Sequence, residues 1–223
     1  MSGQAGEAQA LGTRRGYTLG EEIANGTTHG VGVGLAVAGL VILTVFAVLA
    51  NDGYKLASAI VLGVSLILAY TTSTLYHSVP HPKAKHLFKV LDHCSIYVLI
   101  AGTYTPFCLV TLREANGWWL FGIVWGFAVV GISLEAFWTY RPRWLSALVY
   151  LAMGWLIVVS FGPLAERLEP GGLWLLVTGG LAYTIGVVFY VLERIKYMHA
   201  VWHLWVLAGS VFHFLAVLLY VVR

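Results

Sequence analysis

The chain has 223 residues, 59% of them hydrophobic and only 10% charged, with a mean hydropathy of +0.81. An ordinary soluble domain carries about 25% charged residues, so this balance excludes one and points to a membrane protein. The formal charge of +3 argues against a nucleic-acid partner. Two cysteines, Cys94 and Cys108, exclude a disulfide-rich secreted module.

Residues 1–28 are polar and rich in Gly and Ala. They lack a signal peptide's order of charge, apolar core and cleavage site, so the first span is expected to be retained. Seven apolar segments of spanning length follow, at about 29–50, 56–79, 90–112, 117–138, 144–165, 172–192 and 199–222. The breaks between them are short and polar, which leaves no room for a soluble domain. The expectation is an all-α chain: a polar tail over 1–20, then one seven-transmembrane helix bundle over 21–223. Cys94 and Cys108 fall on one helix, 14 residues apart, or about 21 Å along its axis, and cannot bridge each other. Trp118, Trp119, Trp144 and Tyr197 sit at span edges, as an aromatic belt requires.

Lys and Arg set the expected orientation. Arg14, Arg15, Lys83, Lys85, Lys89, Arg141, Arg143, Arg194 and Lys196 fall on one side; Lys55, Arg113, Arg167 and Arg223 fall on the other. The positive-inside rule places the N-terminus in the cytoplasm and the C-terminus outside. The expected location is a membrane, with membrane lipids as partners.

With that topology, polar residues from four distant segments fall at the cytoplasmic side. Glu22, Asn25 and His29 precede or open span 1. Ser73 and His77 close span 2, Asp92 and Ser95 open span 3, and His199 and His203 open span 7. His199 and His203 are one helical turn apart and share a face. A metal-binding pair inside a membrane helix is a functional hypothesis by default. Imidazole suits Zn²⁺, and three protein ligands with one open position is the catalytic arrangement. His77, His199 and His203 can supply the three nitrogens. Asp92 can hold or deprotonate a water acidified by the metal, join the ligands, or cap the third helix. Ser73, one turn before His77, has a catalytic role or a packing role open to it. Glu22, Asn25, His29 and Ser95 are expected in supporting, structural positions. His81, His86 and His93 read as loop or interface residues, and His213 as a buried histidine too deep to reach the same ion. Glu135 and Glu193 read as partners for nearby arginines.

These motifs carry a resemblance. ExxN with a following histidine (Glu22, Asn25, His29), SxxxH (Ser73, His77), DxxSI (Asp92, Ser95, Ile96) and HxxxH (His199, His203) are similar to those of the haemolysin III family, within the progestin and adiponectin receptor (PAQR) group. LDHCSIYVLIAGTYTPF (91–107) and WHLWVLAGSVFHF (202–214) are especially similar. The resemblance runs from about residue 17 onward. It implies a seven-helix fold with a cytoplasmic N-terminus and zinc near the inner leaflet on His77, His199 and His203, with Asp92 beside it. It also implies a bacterial inner (plasma) membrane location, a lipid or fatty-acid ligand within the bundle, and proposed lipid amidases acting on ceramide-like substrates among its relatives. The functional expectation is a zinc-dependent hydrolase of a lipid amide or ester with a role in membrane lipid homeostasis. A receptor or sensor with structural zinc and a cytolytic membrane protein are the alternatives.

Overall fold

A computed structural model describes residues 16–138, 142–192 and 194–223. The tail charges Arg14 and Arg15, together with Arg141 and Glu193, lie outside the described residues. Seven helices are long and apolar enough to cross a membrane: α1 Leu19–Leu49, α2 Gly53–Ser78, α3 Pro82–Thr111, α4 Gly117–Phe137, α5 Arg143–Arg167, α6 Pro170–Val191 and α7 Met198–Val222. Among the described residues there is no strand.

Two helices start earlier than their apolar runs. α1 begins ten residues before His29 because Thr18 and Glu21 form a capping box: the Thr18 hydroxyl accepts from Glu21 N, and the Glu21 carboxylate accepts from Thr18 N at 2.9 Å. α3 begins at Pro82, with His81 as its N-cap. Proline is favoured at a first helical position, where its missing N–H costs nothing. Lys83, Lys85, His86 and Lys89 are therefore helical rather than loop residues. Asp92 lies ten residues inside α3, so the expected capping role does not hold.

Two helices change pitch midway. Pro106 cannot donate to the ladder, and α3 passes into a π-helical turn over Phe107–Thr111. α5 is α-helical over Arg143–Gly154, tightens to a 3₁₀ stretch over Trp155–Ser160 and resumes over Phe161–Arg167.

Apolar residues line the bundle interior, Leu43, Leu62, Tyr97, Phe107, Leu120 and Val124 among them. Large hydrophobic residues such as Val41, Phe127, Val130, Val159 and Ile185 are exposed, as a lipid-facing surface demands. Trp118, Trp119, Trp144 and Tyr197 are exposed too. Close packing of α3 needs glycine at two places: a Cβ on Gly102 would run into Ser65 of α2, and one on Gly131 of α4 into the Tyr97 ring. Cys94 and Cys108 form no disulfide. The alternating helix directions put the starts of α1, α3, α5 and α7 and the ends of α2, α4 and α6 at one end of the bundle. The polar cluster sits toward that end.

Candidate metal centre

His77 is the penultimate residue of α2, and His199 and His203 occupy the first two turns of α7. The three are buried, and one ligand atom from each lies within 4.8 Å of the others. Ring centroids are 5.2 Å apart for His77 and His199, 5.3 Å for His77 and His203, and 4.6 Å for His199 and His203.

α1 fixes how two of these rings are presented. Nδ1 of His77 lies 2.7 Å from Glu22 Oε2. A carboxylate can only accept, so Nδ1 carries the proton and Nε2 is left for the interior. Nε2 has no hydrogen-bond partner. Glu22 is held in turn by Lys85, 2.8 Å from its other oxygen, and Lys85 donates to the Tyr76 carbonyl at 2.9 Å. Nδ1 of His203 donates to the Asn25 carbonyl at 3.2 Å and lies 3.1 Å from Thr28 Oγ1, which again leaves Nε2 free to turn inward. Neither nitrogen of His199 has a partner.

The donor chemistry fits a zinc-like ion. Buried imidazole nitrogens without partners cost roughly 1–3 kcal/mol each, and a metal would satisfy them together. The Glu22 and Asn25 contacts are of the kind that fix tautomer and ring plane around a metal.

Asp92 is not among the donor atoms that lie within 4.8 Å of one another. It lines a cavity of about 30 Å³ together with His199, His203, His29, Tyr70, His93 and Ser95. That is room for about two waters. Ser95 donates back to the Asp92 carbonyl at 2.6 Å and receives a hydrogen bond from Thr72 at 3.1 Å, so it braces the helix turn under Asp92. Ser73 Oγ is buried beside the Asp92 carboxyl without completing a hydrogen bond, and it does not line the cavity. Ile96, Leu99, Trp202 and Val206 are shared with a second, mainly apolar cavity of about 100 Å³. Thr103, Tyr104, Trp155 and Gly180 carry it on into a third of about 270 Å³.

A model of haemolysin-III-related proteins matches residues 17–214. The chain belongs to the haemolysin III family. It is 46% identical to "Hemolysin-3" of Bacillus cereus over 94% of this chain and 95% of the relative. It is 44% identical to "Hemolysin-3 homolog" of Bacillus subtilis (strain 168) over 93% and 97%. A more distant match, 29% identical over 92% of this chain and 87% of the relative, is the human "Monocyte to macrophage differentiation factor", which fits the wider PAQR group. No solved structure matches.

The family match takes in every residue of the centre, and it includes some that composition and spacing did not single out. Tyr17 packs over the centre, its ring 5.6 Å from His77 and 5.2 Å from His199. Its hydroxyl accepts from Arg143 at 3.3 Å. Glu21 ties the loop before α7 to α1 by accepting from Tyr197 N at 3.1 Å. His93 corrects the loop-or-interface expectation: it is buried, with Nδ1 3.0 Å from Oε1 of Glu135, itself 1% exposed. The signal was available, since two titratable residues on adjacent apolar helices need each other. His213 lies elsewhere, its Nε2 donating to the Leu176 carbonyl at 3.1 Å.

Proposed function

We propose that this haemolysin III family member is a zinc-dependent hydrolase of membrane lipid amides or esters, working near the cytoplasmic leaflet of a bacterial inner membrane. The carrying observation is the arrangement itself: three buried imidazoles converge, with a carboxylate standing off across a water-sized cavity. A closed structural site would bring a fourth protein ligand to the metal. A three-ligand site with an adjoining pocket leaves space for water and a substrate carbonyl. The chain of apolar cavities beyond it suits an acyl chain, which is the reason a lipid is the substrate class.

Bound zinc would supply a Lewis acid and make a water more acidic. The protein's own residues do the rest. Glu22 and the Asn25 carbonyl hold His77 and His203 with one nitrogen outward. Asp92 accepts the proton of a water placed in the cavity and returns it to the leaving nitrogen or oxygen. Tyr17 and Arg143 close the approach from the helix ends, keeping bulk water off the reacting carbonyl. Ile96, Leu99, Trp202 and Val206 guide the chain into the bundle. The products are a fatty acid and an amine or alcohol, which gives the reaction its place in lipid turnover.

Purified protein assayed on ceramides and phospholipids, with and without chelator, tests this reading. Turnover that chelator abolishes and zinc restores is expected. A protein that holds zinc and turns over no lipid contradicts it. The names of the two Bacillus relatives favour a cytolytic reading instead. Rapid dye release when the purified protein meets preformed liposomes would support that one.

A further inference from the structure

His29 is a buried imidazole that completes no hydrogen bond. It lies ten residues inside α1, 6% exposed, and neither Nδ1 nor Nε2 has a hydrogen-bond partner. An apolar side chain of similar size would fill the same space without the cost of drying two polar atoms. Packing alone therefore does not explain a histidine here. The ring is held firmly all the same. It stacks on His203 with centroids 3.6 Å apart and planes 12° off parallel, and the Tyr70 ring meets it edge-on at 5.0 Å.

His29 is not one of the converging metal donors. It does line the cavity of about 30 Å³ that Asp92, His199 and His203 also line. The unpartnered imidazole therefore faces the one small space where the proposed reaction would put a water and a carbonyl group.

We propose that His29 is a substrate-contacting residue that donates a hydrogen bond to the carbonyl oxygen of the lipid amide or ester. This rests on the hydrolase reading above. A neutral imidazole always carries one N–H and one lone pair. With neither nitrogen engaged by the protein, the ring can take whichever tautomer turns N–H into the cavity, so no charged form is needed. In the reaction, the water oxygen bonds to the carbonyl carbon, its proton passes by way of Asp92 to the leaving atom, and the C–N or C–O bond breaks. The carbonyl oxygen carries negative charge in between. A donor fixed in place by stacking stabilises that charge without having to reorganise. The stack on His203 sets the ring plane, and Tyr70 blocks its rotation.

The test compares wild type, His29→Leu and His29→Gln in phosphatidylcholine nanodiscs. Three quantities are measured: bound zinc, turnover of a long-chain ceramide, and the infrared carbonyl band of a ceramide labelled with ¹³C at the amide carbonyl. The expected result for His29→Leu is wild-type zinc content, turnover lower by about 100-fold, and loss of the bound carbonyl's shift to lower frequency. His29→Gln, which keeps an N–H donor, is expected to recover part of both the turnover and the shift. If His29→Leu keeps the shift and turns over ceramide within about threefold of wild type, the proposal is overturned. Zinc loss in both variants also overturns it, because His29 would then act only through His203. A zinc-loaded wild type with no turnover and no carbonyl shift removes the hydrolase reading itself, and this proposal falls with it.

Discussion

At the scale of single residues, α1 decides how the centre is presented. Glu22 takes the outer nitrogen of His77 at 2.7 Å, and the Asn25 carbonyl takes that of His203 at 3.2 Å. Removing the carboxylate charge should leave the ligands in place but loosen one of them. Glu22→Gln is expected to weaken zinc affinity about 10- to 100-fold, measured by competition with a chelating dye. Asp92 stands apart from the donors, so Asp92→Asn should keep its zinc. Its turnover should fall by about 100-fold or more, measured as kcat on ceramide beside metal content. Zinc lost from Asp92→Asn would instead make Asp92 a ligand and the site a closed one. The SxxxH, DxxSI and HxxxH motifs made most of these positions legible in the sequence. Tyr17 and Arg143 were not legible, because each reads locally as tail or topology charge and meets the centre only through the fold.

At the scale of helices, hydrophobic runs located all seven spans but misplaced two starts. Apolar periodicity reports what faces lipid or core, not where backbone hydrogen bonding begins. The capping box at Thr18 and Glu21 and the His81-Pro82 pair carried that information. Both extended starts shape the centre, since they place Glu22 and Lys85 on helices that meet beside His77. The break in α5 at Trp155–Ser160 was not legible, because its residues are as apolar as their neighbours. Helix packing around α3 depends on Gly102, where any Cβ meets Ser65. Gly102→Val is expected to destabilise the bundle by about 1–3 kcal/mol, seen as a lower Tm in detergent. Gly180 lines the two apolar cavities, where an added Cβ would meet the Trp155 ring at 3.9 Å without a clash. Gly180→Leu should shift the substrate preference toward shorter acyl chains with zinc content unchanged, read from turnover across a ceramide chain-length series.

At the scale of the whole molecule, the bundle holds its buried histidine cluster toward one end. Its lipid-facing surface and apolar core were legible from composition alone, because spanning helices in hydrocarbon must satisfy their own backbones. Orientation rests on the asymmetry of Lys and Arg. Reporter fusions should find the N-terminus and the connection after α2 in the cytoplasm, and the C-terminus outside. The cavities could not be read from sequence, since they arise where α3, α5, α6 and α7 fail to fill the space between them.

Everything proposed of the site depends on His77, His199 and His203 together holding one metal ion. The direct measurement is metal content per chain by mass spectrometry, for wild type and for a variant with all three histidines replaced by alanine, both purified without added metal and both shown to be helical and monodisperse. About one zinc per wild-type chain is expected, and none in the variant. Wild type without metal, or a variant that keeps as much as wild type, would contradict it.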